Sequence, residues 1–208
     1  MSATVDALLP LSLLEAVRTL DKPAGDDDAE AEYVDELRSK RLGLSDTVYA
    51  QIRRYTEAAK RNERLPLSEA VGIAKLIGRR PDADRIFRDG GTWLANRVHD
   101  RIAGPVRWII RFLPSIVARP LAFRQTRLVA ERYYNGSIER VGSFVLLAVP
   151  ESPTAGVAPN SAGCVYYEAS LGVILQRLLD AGGRVEHVRC ADKGDDVCQW
   201  RADWRQGR

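Results

Sequence analysis

Side chains able to carry chemistry are scarce here: three cysteines, two histidines and four tryptophans in 208 residues. No apolar run approaches the roughly 20 residues that a bilayer-crossing helix needs, which excludes a spanning segment of that kind. The apolar stretch at residues 8–14 has no basic region before it and no small-residue cleavage site after it, so no secretory leader is read there. The expected compartment is the cytoplasm, where an odd cysteine count points to free thiols or metal ligands and away from a disulfide framework. Glycine-rich cofactor loops and nucleophile–base pairs are also missing, so catalysis is the less expected role.

What is present has the balance of a globular protein, with 45% apolar and 28% charged residues and enough length to bury a core. The net charge of +3 is too small to argue for a nucleic-acid partner, but its distribution is uneven. Residues 21–36 carry eight acidic side chains against Lys22, whereas residues 104–132 carry six arginines against Glu131. Those arginines, Arg107, Arg111, Arg119, Arg124, Arg127 and Arg132, suit an anionic ligand, an acidic protein or a peripheral membrane contact, or simply a solvated helix face. The stretch LSEAVGIAKLIGRRPDADRIFR has a helix–break–helix look, and it raises a DNA-binding regulator as an alternative. Its turn, Gly78-Arg79-Arg80-Pro81, is a poor recognition motif, so nucleic acid is not expected.

Periodicity predicts an α+β chain: N-terminal helices packed on a small antiparallel sheet with a long helix and a C-terminal hairpin. Residues 1–40 divide off as a short amphipathic helix, docked on the body or a partner, and a mobile acidic linker; residues 41–208 form the main domain. Helices are predicted from Ser45 as N-cap, from Ser68 to Gly78, and from Asp82 to Gly104 with an interruption at Gly90-Gly91. The segment 105–134 is helical at its ends and broken at Pro114 and Pro120. After the Asn135-Gly136 turn, residues 139–150 read as one strand. A helix from Cys164 to Gly182-Gly183 follows, with Val165, Leu171, Ile174, Leu175 and Leu178 available to a sheet, then two short strands.

A helix start packed over that last hairpin would gather Cys164, Cys190 and Cys198, with His187 three residues before Cys190. Three thiolates and one imidazole are a usual first shell of a closed, structural zinc site. A cysteine at a helix N-terminus gains thiolate stabilisation from unpaired backbone N–H groups. In a flat strand His187 and Cys190 point to opposite faces, so the set requires a bulge or strand end near Arg189. Glu186 shares the face of Cys190 and is the alternative fourth ligand. None of the tight two-cysteine signatures is present, and three unliganded thiols are the plain alternative.

Residues 164–200 resemble the ending of the 4-vinyl reductase domain family: a helix, a strand finishing in cysteine, a Gly-Asp turn, and a second cysteine followed by an aromatic. Here these are Cys190, Gly194-Asp195 and Cys198, with Trp200 two residues on. The resemblance implies an α+β fold shared with trafficking-particle subunits and, more distantly, with haem-based nitric oxide sensors. Sensory members bind zinc through a cysteine at the helix start, a glutamate and two further cysteines. These positions fall on Cys164, His187, Cys190 and Cys198, and imidazole replaces carboxylate without chemical loss, which places His187 ahead of Glu186. Over residues 45–150 only helical content and the strand agree, and residues 1–40 have no counterpart.

The resemblance also implies a homodimer and a pocket between helices and sheet for a hydrophobic small molecule, a phenolic compound in the sensors or a tetrapyrrole in bacteriochlorophyll-pathway members. The function expected is a zinc-stabilised, non-enzymatic domain for sensing or delivery; the alternative is an accessory protein or enzyme of tetrapyrrole metabolism. The candidate pocket lining is Trp93, Trp108, Phe112, Phe123, Tyr133, Tyr134, Tyr166 and Tyr167, each of which also suits core packing. His99, in NRVHDR, is weighed as a haem ligand against the plainer reading of an exposed or hydrogen-bonded histidine.

Overall fold

The computed structural model describes residues 3–21, 45–179 and 184–203. The acidic linker and the Gly182-Gly183 helix stop lie outside the described residues. The chain folds as α+β, in the order β1 (Thr4–Asp6), α1 (Leu8–Asp21), α2 (Asp46–Lys60), β2 (Arg64–Pro66), α3 (Leu67–Gly78), α4 (Ala83–Arg101). Then come α5 (Gly104–Phe112), α6 (Ser115–Tyr133), β3 (Ser137–Val141), β4 (Phe144–Val149), α7 (Val165–Leu179), β5 (Val185–Arg189) and β6 (Cys198–Asp203). β1 and β2 form a two-stranded antiparallel sheet, and the other four strands an antiparallel sheet ordered β3-β4-β6-β5. Among the described residues no helix is long and apolar enough to cross a membrane.

α1 is more deeply placed than an amphipathic surface helix. Leu8, Leu9, Leu11, Leu13, Leu14 and Val17 are all buried, and so are Pro10, Ser12 and Ala16. The helix lies mainly against α4, with α2 and α3 also on it. Its one buried hydroxyl is satisfied: Ser12 Oγ donates to the Leu9 carbonyl at 2.7 Å and meets Tyr166 Oη at 2.7 Å. At its start the buried Asp6 carboxylate accepts the Leu8 N–H at 3.0 Å, with Arg132 Nε 3.9 Å away.

Burial raises the Asp6 pKa, opposed by the Leu8 hydrogen bond and by the charges of Arg101, Arg132 and Arg64. The stability contributed by this shift is fully present below the ordinary carboxylate pKa and is lost as pH rises through the raised one. Asp6→Ala orphans the Leu8 N–H and is expected to cost about 1–2 kcal/mol in urea unfolding at neutral pH. Asp6→Asn keeps the acceptor and should stay within about 0.5 kcal/mol of the parent; an equal loss in both variants would show that the charge, not the cap, matters.

Ser45 caps α2 as its sequence predicts, accepting the Val48 N–H at 3.3 Å. Gly90-Gly91 does not interrupt α4. A Cβ on Gly91 would lie 2.1 Å from the Tyr166 carbonyl oxygen, and one on Gly90 3.3 Å from that of Ser12. The glycine pair is thus where α7 and α1 press closest onto α4. Pro114 separates α5 from α6 as expected, but α6 runs through Pro120. The carbonyl that Pro120 leaves without an N–H belongs to exposed Ile116, where water can serve it.

Residues 139–150, read as one strand, are two. Gly142 takes φ of +60° and turns the chain with Ser143, so that Val141 pairs with Phe144 in a tight β3–β4 hairpin. A two-residue hairpin loop needs such positive φ, which glycine adopts without strain. The apolar character on both sides of that glycine hid the break. α7 begins at Val165, after a 3₁₀ turn over Pro159–Cys164, and its main neighbour is α4 rather than a sheet. Leu171, Ile174, Leu175 and Leu178 are buried as expected, whereas Val165 is half-buried and Tyr166 and Tyr167 take the inward positions.

Candidate metal centre

Three chain segments converge at one corner of the four-stranded sheet. The 3₁₀ turn delivers Cys164 as its last residue, β5 delivers His187, and the β5–β6 connection is flanked by Cys190 and Cys198. The connection is a compact loop. Cys190 carbonyl accepts the N–H groups of Lys193 at 2.9 Å and Asp195 at 3.2 Å, while Asp195 Oδ2 accepts the Cys190 N–H at 2.7 Å. Gly194, at φ of +97°, closes the 3₁₀ turn Ala191–Lys193. Asp192 accepts from Ser161 Oγ at 3.3 Å and so joins the loop to the turn that carries Cys164. Asp192 and Asp195 therefore shape the loop, and neither belongs to the group formed by Cys164, His187, Cys190 and Cys198.

The facing problem at His187 is solved by a bulge. His187 pairs with Trp200 and Arg189 with Gln199, so Val188 is the extra residue and the alternation resets before Cys190. His187 then lies flat on the buried Trp200 indole, with ring centroids 4.9 Å apart at 17°. Glu186, the alternative fourth ligand, is instead ion-paired with Arg201 at 2.5 Å on the exposed side of the hairpin. Arg201 also lowers the Glu186 pKa by that hydrogen bond, so the carboxylate stays charged where it is.

The ligand atoms of Cys164, His187, Cys190 and Cys198 all lie within 4.8 Å of one another, and the group could hold a metal ion. Cys164 and Cys190 sulfurs are 3.8 Å apart, far from disulfide bonding distance. A tetrahedral centre with metal–sulfur bonds of about 2.3 Å has edges of about 3.8 Å, so this pair is already spaced for a shared ion. All three thiols are buried, and His187 Nε2 is buried with no hydrogen-bond partner. Such an orphan is costly in a native fold unless something completes it.

The cluster also favours charge on sulfur. A hydrogen bond from the Cys164 thiol lowers the Cys198 pKa against the opposing effect of burial, with further help from the nearby imidazole and from the Ala191 N–H, 3.4 Å from the sulfur. The same bond, followed by burial, raises the Cys164 thiol.

The eight aromatics expected in one pocket lie in different places. Tyr134, Tyr166 and Tyr167 are fully buried and meet edge to face, with centroids 5.7 Å apart for Tyr134–Tyr167 and 5.2 Å for Tyr166–Tyr167. Tyr167 also packs on Trp200 at 5.0 Å, so this row reaches the plate beneath His187. Tyr133 is buried under the Arg132 guanidinium, while Trp93 and Phe123 are half-buried against the core. Trp108 and Phe112 are exposed, 5.4 Å apart on α5, because that helix buries only Ile110.

Those two line a groove of about 860 Å³ between α5, the start of α6 and the C-terminal turn of α7. Arg111, Arg119 and Arg177 supply its cationic side, and Leu178 adds to its apolar floor. Arg177 had no sequence signal; it belongs here because Asn96 of α4 accepts its Nη2–H at 2.9 Å. His99 lines the same groove, with Nδ1 3.6 Å from Asp100 and its pKa lowered chiefly by burial.

Compared with protein-family models and with curated proteins, the chain has no match.

Proposed function

We propose that the chain is a zinc-clasped, non-enzymatic domain that binds a hydrophobic small molecule for sensing or delivery, of the 4-vinyl reductase type that residues 164–200 resemble. The observation that carries the reading is the buried, unpartnered His187 Nε2 beside three buried thiols. Four ligands of this softness select zinc among common divalent ions, and all four corners come from the protein. With no corner left for water or substrate, the ion acts as a clasp between the start of α7 and the C-terminal hairpin.

The groove supports the binding role, and it is remote from the clasp. From Val165 to Gln176 the α7 axis rises by about 16 Å, so the ion has no reach to a molecule held at the other end. A volume of about 860 Å³ falls within the range of about 300–1,000 Å³ usual for small-molecule sites. Trp108, Phe112 and Leu178 would contact an apolar body, and the arginines around them an acidic substituent. Homodimerisation is part of this reading by resemblance.

Native mass spectrometry and metal analysis of protein purified from its own host test both halves. The expected result is one zinc per chain and a retained apolar molecule that Trp108→Ala reduces. A folded preparation without metal overturns the clasp, and zinc-loaded protein that takes up no apolar molecule overturns the binding role.

A further inference from the structure

The α5–α6 corner, part of which lines the groove, carries the least covered apolar side chains among the described residues. Of the ten large apolar side chains exposed among the described residues, five fall between positions 108 and 117: Trp108 at 59%, Phe112 at 63%, Leu113 at 39%, Ile116 at 85% and Val117 at 51%. Trp108 and Phe112 sit one helical turn apart on α5, and Ile116 and Val117 follow Pro114 in the first turn of α6. Half of the exposed set on ten residues is a patch and not scatter, and such patches mark contact surfaces.

Its charge is one-sided. From Gly104 to Ala130 the sequence has five arginines and no aspartate or glutamate. Arg107 is 3.7 Å from Asp100 and Arg127 pairs with Glu131 at 2.8 Å, but Arg111, Arg119 and Arg124 have no acidic partner among the described residues. Arg111 extends over the Phe112 ring at 5.8 Å, so cation and aromatic face are presented together. A second copy of this chain fits poorly, because pairing the patch with itself would bring the unpaired arginines together. An acidic protein would answer the same arginines; five exposed large apolar side chains within ten residues favour a bilayer over it.

We propose that the α5–α6 corner docks on an anionic lipid bilayer, with Trp108, Phe112 and Ile116 in the acyl boundary and Arg111, Arg119 and Arg124 at the lipid phosphates. A short amphipathic helix with aromatic and aliphatic groups on one side and arginines beside them lies in the interface plane, about 5–10 Å deep. Trp at the headgroup level and basic residues within reach of anionic lipid are the two elements that make such contacts additive. Trp108, Phe112, Arg111 and Arg119 also line the α5–α7 groove, so the bilayer and a molecule held in the groove compete for the same side chains. This contact involves none of the metal-binding residues and stands or falls without them.

The test is co-flotation of the full chain with phosphatidylcholine vesicles and with vesicles that also contain phosphatidylserine, with metal content and circular dichroism checked for every variant. The parent should partition onto the serine-containing vesicles at least about tenfold better than onto the neutral ones, with loss at high salt. Phe112→Ser with Ile116→Ser, and separately Arg111→Glu with Arg119→Glu, should each lower that binding about tenfold or more while keeping the parent's fold and metal. Parent protein that stays unbound overturns the proposal, as does binding that either folded double variant retains. A concentration-dependent dimer that the Phe112–Ile116 variant abolishes, with no vesicle binding, would assign the face to a second copy instead.

Discussion

Cys198→Ser is expected to cut bound metal from one ion per chain to less than about a tenth, and to lower the thermal midpoint by about 10 °C. Cys198 is fully buried, belongs to the group that could hold an ion and ends the loop that starts at Cys190. Binding free energies at closed zinc–thiolate sites run to about 10–16 kcal/mol in small peptides that fold only with metal. Here most of the apolar core lies between α1, α4 and α7 and forms without the ion, so only the hairpin's share of stability is lost. A few kcal/mol at about 2–4 °C each, for a chain of this size, gives the stated shift.

The companion variants separate the two readings of the fourth ligand. His187→Ala should lose metal and stability in the same direction, because it removes a corner and uncovers the Trp200 face. Glu186→Gln should leave both unchanged, since that carboxylate is held by Arg201 on the solvent side. Elemental analysis and scanning calorimetry read all three. A strong chelator should bring the parent down to the Cys198→Ser midpoint and leave the variant where it is. Metal lost with Glu186→Gln and kept with His187→Ala would invert the assignment.

Gly91→Ala is expected to destabilise the fold by about 2–4 kcal/mol, although alanine is the better helix former. The added Cβ would fall 2.1 Å from a backbone oxygen of Tyr166, and a carbonyl inside α7 cannot swing aside as a side chain can. α4 and α7 would have to part, disturbing the Tyr134–Tyr166–Tyr167 row and the Ser12–Tyr166 hydrogen bond. Gly72→Ala in α3 is the control. Its Cβ would meet nothing within 4 Å, so the same exchange should stabilise by about 0.5–1 kcal/mol. Urea unfolding of both variants checks the contrast, and equal effects would show that helix propensity alone governs these sites.

The same glycines show where the sequence is readable and where it is not. A glycine pair inside a helical pattern has two physical uses, breaking the helix or admitting a neighbour, and only the neighbour tells them apart. Tyr166 is 75 positions away from Gly91, so the sequence favours the local reading and misses the crossing. Gly142 is the reverse case, a true turn hidden because both its flanks are apolar. The α+β class, the Ser45 cap and the C-terminal hairpin were legible because each rests on periodicity or on a residue within one turn.

The candidate centre was legible for a different reason. Soft ligands are so few in this chain that any grouping of Cys164, Cys190, Cys198 and His187 stands out, and strand alternation even required the bulge that Val188 provides. What alternation could not supply was the stacking plate under the imidazole, since Trp200 faces His187 only through the β5–β6 register. The aromatic pocket was not legible because tyrosine serves a core and a cavity equally well. Burial of Tyr134, Tyr166 and Tyr167, against exposure of Trp108 and Phe112, is decided by helix packing that no local pattern encodes.

The most direct test of the central claim is zinc K-edge X-ray absorption on the metal-loaded protein. A clasp made by Cys164, His187, Cys190 and Cys198 gives three sulfur scatterers at about 2.3 Å and one imidazole nitrogen at about 2.0–2.1 Å, with no further shell from water. Protein that binds no zinc, or a zinc surrounded by oxygen with fewer than three sulfurs, would contradict it.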